Sequence, residues 1–186
     1  MEITKFACQD AVATIQSFIS NKKHGFAYCT HDRKSVLIAK PDAVDRTLCA
    51  ELGYNIMETK HTGGVMVVGE GDVSVIHFGE IGNTAMHEFA VYLVEQYKNR
   101  GLNATFDGND ILIDEYKISG LSATPYGHIQ YSTIHIGVNT NLEDIKTICT
   151  KPMVKVPKGL SDYGITTDEV EQMFLDFCEH QEHADS

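Results

Sequence analysis

Apolar side chains in the segment 83–100 recur every three or four positions. Met86, Phe89, Ala90, Leu93, Val94 and Tyr97 fall on one stripe, and Gly101 follows. This period predicts an amphipathic helix with the glycine as its C-terminal stop. Residues 10–21 repeat the pattern, with Val12, Ile15, Phe18 and Ile19 inward and Asp10 as N-cap. A last helix is expected where Thr166 and Glu169 have capping-box spacing ahead of Val170, Met173, Phe174 and Phe177. Pro41-Asp42 can open a further helix that Gly53 closes, and 141–149 reads as a short capped one.

Elsewhere the period is that of strands. Residues 35–39 (SVLIA) form a buried run. Residues 54–78 read as strand-turn-strand-turn-strand, broken at Thr62-Gly63-Gly64 and at Gly69-Glu70-Gly71-Asp72. A second strand-rich stretch covers ATF, DILIDEYKIS and HIQYSTIHIGV. Helices interleaved with two blocks of short strands predict an α+β fold, a mixed or antiparallel sheet flanked by helices. With no linker or repeat visible, residues 1–186 are expected to be a single domain.

Charge narrows the partners. The formal net charge of -11 over 186 residues, with no cluster of Lys and Arg on one face, excludes a nucleic-acid partner. The basic stretches at 21–24 and 151–158 read as solvated loops. No run approaches membrane-spanning length, so no membrane partner is expected. The five cysteines are widely spaced and include no C-x-x-C pair that would mark zinc or redox chemistry. A reducing compartment, the cytoplasm, follows.

Two places could carry chemistry. Adjacent Gly63 and Gly64, flanked by Lys60 and His61, can present backbone N–H groups and an ammonium to an anion, or serve only as a strand turn. Lys117, after an acidic turn and just before Ser119-Gly120, can reach a phosphate or carboxylate, while Asn109 and Asp110 offer oxygens to a divalent metal. A hairpin with an exposed lysine fits the same spacing. His87-Glu88 lacks a second histidine four residues on, and no G-x-x-x-x-G-K-[ST] loop occurs.

Thr62-Gly63-Gly64-Val65, Gly71-Asp72, the run GNDILIDEYKISG and Ser132-Thr133, in this order, resemble the lipoate-protein ligase family. That family shows R-R-x-S-G-G-G, G-N, N-D-L, K-I-S-G-x-A and H-G-T. The resemblance spans about 35–170 and implies the biotin/lipoate-ligase catalytic fold. It implies that Lys60 keeps the charge of the second arginine and that Thr62, Gly63, Gly64 and Val65 line an acyl and adenylate pocket. Asp72 lies among the binding residues, and Asn109 and Asp110 sit beside the nucleotide, Asp110 near Mg²⁺. Lys117 contacts the reacting carboxylate and phosphate, with Ser119, Gly120 and Thr133 completing the site.

The implied activity uses ATP and Mg²⁺ to convert lipoate or a related acid to an acyl-adenylate, then acylates a lysine of an acceptor lipoyl-domain-like protein. The accessory C-terminal domain of many such ligases has no counterpart, leaving room for a separate accessory protein. Thr59 replaces the first arginine, Val65 the third glycine and Gly69 a common histidine. An octanoyl or lipoyl transferase of this fold and a non-catalytic binding protein therefore stay open. The transferases use a cysteine nucleophile, and here only Cys149, on an apolar helix face, is near.

Overall fold

The computed structural model describes residues 2–21, 23–58 and 65–184. In chain order the elements are β1 (Glu2–Lys5), α1 (Ala11–Ser20), β2 (Gly25–Thr30), β3 (Ser35–Ile38), α2 (Arg46–Glu51), β4 (Asn55–Glu58), β5 (Val65–Val68), β6 (Val73–Glu80), α3 (Ala85–Asn99), β7 (Ala104–Phe106), β8 (Asp110–Ile113), β9 (Tyr116–Tyr126), β10 (Ile129–Ile136), α4 (Leu142–Ile148) and α5 (Thr167–Ala184). They build two sheets. The larger runs β1-β2-β6-β10-β9-β8-β7 and the smaller β4-β3-β5. Among the described strands, β1–β2 and β3–β4 pair in parallel. The fold is thus α+β with mixed sheets and flanking helices, as the periodicity predicts.

Strand alternation explains how the large sheet divides its faces. Val73 and Val75 of β6, with Ile134 and Ile136 of β10, point to the face covered by α3 and α5. The predicted stripe of α3 is fully buried there. The Phe89 ring sits 5.4 Å from Phe174 and 5.1 Å from Phe177 of α5. Each such side chain contributes roughly 1.5–3 kcal/mol relative to leaving it in water. The capping box is present, Thr166 N donating to Glu169 Oε2 at 2.8 Å and Glu169 N to Thr166 Oγ1 at 3.3 Å. On the opposite face Phe18 of α1 stacks on Phe78 at 4.4 Å, beside Ile76 and Tyr131. The small sheet has its own core, Val36, Ile38, Val44, Cys49, Tyr54 and Ile148, closed by α2 and α4.

Several local expectations are corrected. Asp10 makes no side-chain cap, and the chain enters α1 through a 3-10 turn at Cys8–Asp10. Pro41–Ala43 is likewise a single 3-10 turn, because Val44 is drawn into a bridge with Cys149. The helix starts afresh at Asp45, whose carboxylate accepts from Thr47 N at 2.9 Å and Leu48 N at 3.0 Å. The three strands read over 54–78 are no continuous meander, since β4 and β5 flank β3 while β6 joins the large sheet. Inside DILIDEYKIS, Asp114 and Glu115 have φ of 50° and 72°, making the two-residue turn of the β8–β9 hairpin. Strands β1 and β2 lie outside the elements the sequence predicts. β2 is buried along nearly its whole length and so lacks the alternation that marks a half-exposed strand.

Candidate functional site

Between the two sheets lies a cleft of about 1040 Å³. Its floor is the inner face of β6, β10 and β9. The opposite wall comes from β3, β5, the start of α1 and the loop 151–157. Of the residues singled out from sequence, Val65, Asp110, Lys117, Ser119, Gly120 and Thr133 line it together. Lys60, Thr62, Gly63 and Gly64 lie outside the described residues.

Lys117 is set by the hairpin turn two residues before it and by a bulge, where Asp110 and Ile111 face Gly120 and Ser119 but Leu112 already faces Lys117. The extra residue, Ile118, points to the core, which aims Lys117 into the cleft. Its backbone is pinned on the other side, Lys117 N donating to Val156 O at 2.9 Å and Lys158 N to Lys117 O at 3.0 Å. The ammonium lies across Gly120. A Cβ there would stand 3.3 Å from Nζ and 3.4 Å from Cε, closer than a lysine stem accommodates without moving. Lys117 Nζ is 2.8 Å from Asp110 Oδ1, and Lys155 Nζ is 2.7 Å from Asp110 Oδ2. Lys155 also contacts Asp107, and these two carboxylates hold its pKa above the ordinary lysine value.

Ser119 Oγ is buried and has no hydrogen-bond partner among the described residues. Its register opposite Ile111 and Ile136 turns it to the face packed under α3 and α5, so Ser119 borders the cleft while its hydroxyl points to the core. Thr133 and Ser122, paired across β10 and β9, share a hydrogen bond of 2.7 Å at the cleft floor. Asn109 is exposed on the turn before β8, and its carbonyl accepts from Leu121 N at 2.6 Å.

Asp72 stands apart from the cleft lining. It is 1% exposed and organises backbone: Oδ2 accepts from Gly69 N at 2.7 Å, Oδ1 from Val138 N at 2.7 Å and Asn139 N at 2.9 Å. Burial opposes its ionisation, but contact with His135 and the amides of Asn139 and Gly69 outweighs that and keeps its pKa low. Gly69 suits this knot because a Cβ would lie 2.7 Å from Asn139 O.

Sequence reasoning left two features out. The stretch 151–158, read as a solvated loop, contributes Lys151 and Lys155 to the cleft, joined there by Arg33 and Lys40. In a chain of net charge -11, a concavity carrying five cations against Asp32 and Asp110 is a site for an anion. The other feature is a bond between Cys8 and Cys29, both on the cleft wall, a pairing that the sequence reading did not anticipate. Nothing in local spacing gives it, because β1 must first pair with β2 to bring the two together. Cys149, expected within an apolar helix face, is the C-cap residue of α4 and reaches the cleft. Burial raises its thiol pKa, the wrong direction for a nucleophile at neutral pH. The rest of the lining is largely apolar, with Leu37, Met57, Met66, Ile76 and Ile118 among it. No described helix is long and apolar enough to cross a membrane.

A family model for the lipoyl protein ligase A/B catalytic domain matches residues 9–177. No curated protein matches the chain in sequence. Among solved structures, the chain is similar to protein Ta0514 of T. acidophilum with bound lipoic acid, at TM-score 0.78 and 16% identity over 98% of this chain and 86% of that one. Lipoate-protein ligase A bound with ATP gives 0.77 and 17% over 98% and 84%. A bi-partite lipoate protein ligase, described with its E2 lipoyl domain from Thermoplasma acidophilum, gives 0.73 and 16% over 97% and 82%. At such identities these likenesses establish the fold.

Proposed function

The chain belongs to the lipoyl protein ligase A/B catalytic-domain family, and on that premise we propose that it activates lipoate or a related medium-chain acid with ATP and passes the acyl group to a lysine of an acceptor protein. The reading is carried by one observation: the Lys117 ammonium sits over Gly120 in a cleft that also holds an apolar stretch of wall from Val65, Met66, Leu37 and Met57. A carboxylate can meet the ammonium while its chain lies on the apolar lining.

In the first step a carboxylate oxygen attacks the α-phosphorus of ATP and pyrophosphate leaves. Negative charge grows on the phosphoryl oxygens, where Lys117 stabilises it, with Lys155, Lys151 and Arg33 available to the polyphosphate. In the second step the neutral amine of the acceptor lysine attacks the acyl carbon and adenylate departs. Lys117 again offsets the oxyanion, so one cation serves both steps. Asp110, with both oxygens on ammonium groups, does not fit as a ligand for a magnesium ion that would accompany the phosphates.

Lipoic acid is bound by the T. acidophilum relative and ATP by lipoate-protein ligase A, which supports this pairing of substrates. An acceptor of lipoyl-domain type is proposed by analogy with the archaeal ligase and its E2 lipoyl domain, and the bi-partite make-up of that ligase supports a separate accessory protein here. We place the activity in the cytoplasm, on residues 1–186 acting as one catalytic unit. The test is incubation with ATP, Mg²⁺ and either lipoate, octanoate or biotin, reading acyl-adenylate and pyrophosphate. Pyrophosphate release with one acid names the substrate. Silence with all three, in folded protein that binds one of them, replaces the ligase with a non-catalytic binder.

A further inference from the structure

The register of the large sheet lays a straight row across the cleft floor. Asp110 of β8 faces Gly120 of β9, Gly120 faces His135 of β10, His135 faces Ser74 of β6, and Ser74 faces Cys29 of β2. The Lys117 ammonium rests over Gly120 at one end, and the Cys8–Cys29 bond closes the other. Gly120 to Cys29 is three strand spacings, about 14 Å at roughly 4.8 Å each. The lysine stem and the cysteine sulfurs project into that span, leaving a gap suited to a medium-chain acid held by its carboxylate.

The cysteine pair has the surroundings of a reactive bond. Cys8 is only half-buried, and both residues line the cleft. His31 Nε2 stands 3.9 Å from Cys29 Sγ and 2.8 Å from Ser74 Oγ. Ser74 Oγ is 3.2 Å from His135 Nδ1, and His135 Nε2 lies 3.3 Å from Asp72 Oδ2. A chain of polar groups therefore runs from the sulfurs to a buried carboxylate. In a reducing compartment a bond of this kind is redox-active more often than structural.

We propose that the Cys8–Cys29 pair is a thiol-disulfide exchange site for a dithiol carried at the far end of the acyl ligand, a choice of ligand that rests on the lipoate reading above. One thiolate of the dithiol attacks Cys8 Sγ, the accessible sulfur, breaking the bond to Cys29 and forming a mixed disulfide. The Cys29 thiolate leaves beside His31 and takes up a proton. The second thiolate of the ligand then attacks the ligand sulfur in the mixed disulfide, closing a cyclic disulfide and releasing the Cys8 thiolate, which is protonated in turn. The dithiol is oxidised by two electrons, the cysteine pair is reduced by two, and the two dithiol protons end on Cys8 and Cys29. Run in reverse, the reduced pair opens a dithiolane ring in place.

The test uses the full chain in its oxidised form. Dihydrolipoate is added, samples are quenched in acid and alkylated, and mass spectrometry follows loss of the Cys8–Cys29 bond. The expected rate saturates with dihydrolipoate and falls at least ten-fold when octanoate competes, whereas the monothiol glutathione gives an unsaturated rate indifferent to octanoate. A dihydrolipoate rate that stays linear and ignores octanoate overturns the proposal. So does purified protein whose two thiols stay free under oxidant because they hold stoichiometric zinc with His31. Calorimetry of lipoate on the same oxidised sample separates the two claims: binding without saturable exchange removes the exchange alone, and absence of both removes the ligand assignment as well.

Discussion

Lys117 Nζ stands 2.8 Å from Asp110 Oδ1, reaching back across the bulge of the β8–β9 hairpin to the neighbouring strand. The carboxylate fixes an otherwise flexible ammonium before any ligand arrives, which is where preorganised charge gains its advantage. Lys117→Ala is expected to slow acyl-adenylate formation by about 10²–10³-fold. Asp110→Asn, which keeps the shape and loses the anchoring charge, is expected to cost about ten-fold. Single-turnover adenylation of the two variants checks this; a Lys117→Ala protein within a factor of three of the parent removes Lys117 from the chemistry.

Lys155 occupies the second oxygen of Asp110 from a loop far along the chain. Removing it leaves Lys117 in place and takes one cation from the proposed path of the polyphosphate. Lys155→Ala is expected to weaken ATP binding about ten-fold, roughly 1.4 kcal/mol, at low ionic strength. The gap should narrow with added salt, because the group is partly exposed. Titration calorimetry at two salt concentrations measures both effects, and identical affinities at low salt would exclude the loop from the nucleotide site.

Val65 begins β5 and lines the cleft where the resembling family carries glycine. Side-chain volume at that point sets what fits against the apolar wall. Val65→Leu is expected to lower kcat/KM for lipoate relative to octanoate by about ten-fold, and Val65→Gly to raise the same ratio. Competition between the two acids reads the ratio directly. Equal ratios in all three proteins would move the ring elsewhere.

His31 and His77 both have pKa values lowered from 6.5 to about 4, chiefly by burial. The folded state thus holds them neutral where the unfolded chain is already protonated. Their contribution is complete above pH 6.5 and is lost as pH falls toward 4, at up to about 1.4 kcal/mol per pH unit for each. His77 packs on Phe26 at 4.5 Å. His77→Phe is expected to halve the slope between pH 6.5 and 5, above the range where carboxylates dominate. Urea melts across that window supply the slope, and an unchanged value refutes the assignment to His77.

Much of this architecture was legible before the coordinates. Helix α3 is readable because one stripe must bury six large side chains, and α5 because Thr166 and Glu169 satisfy each other's backbone. Lys117 is readable because its neighbours Ser119 and Gly120 are set by the same hairpin. The opposite wall was hidden. Lys155 meets Asp110 across 45 positions, and Cys8 meets Cys29 only after β1 lies down beside β2. Contacts of that kind come from strand order, which hydrophobic period does not encode. Asp72 misled for a related reason: a carboxylate closing a glycine-rich turn looks like a ligand, whereas here its oxygens replace backbone partners for three amides.

The small sheet and its helices pack around a core that shares no residue with the core beneath α3 and α5. Anything seated in the cleft touches both packed units at once. Occupancy therefore adds its binding free energy to the local opening of the lesser unit, and amide hydrogens of β3 and β5 should exchange more slowly as the cleft fills, long before global unfolding is affected.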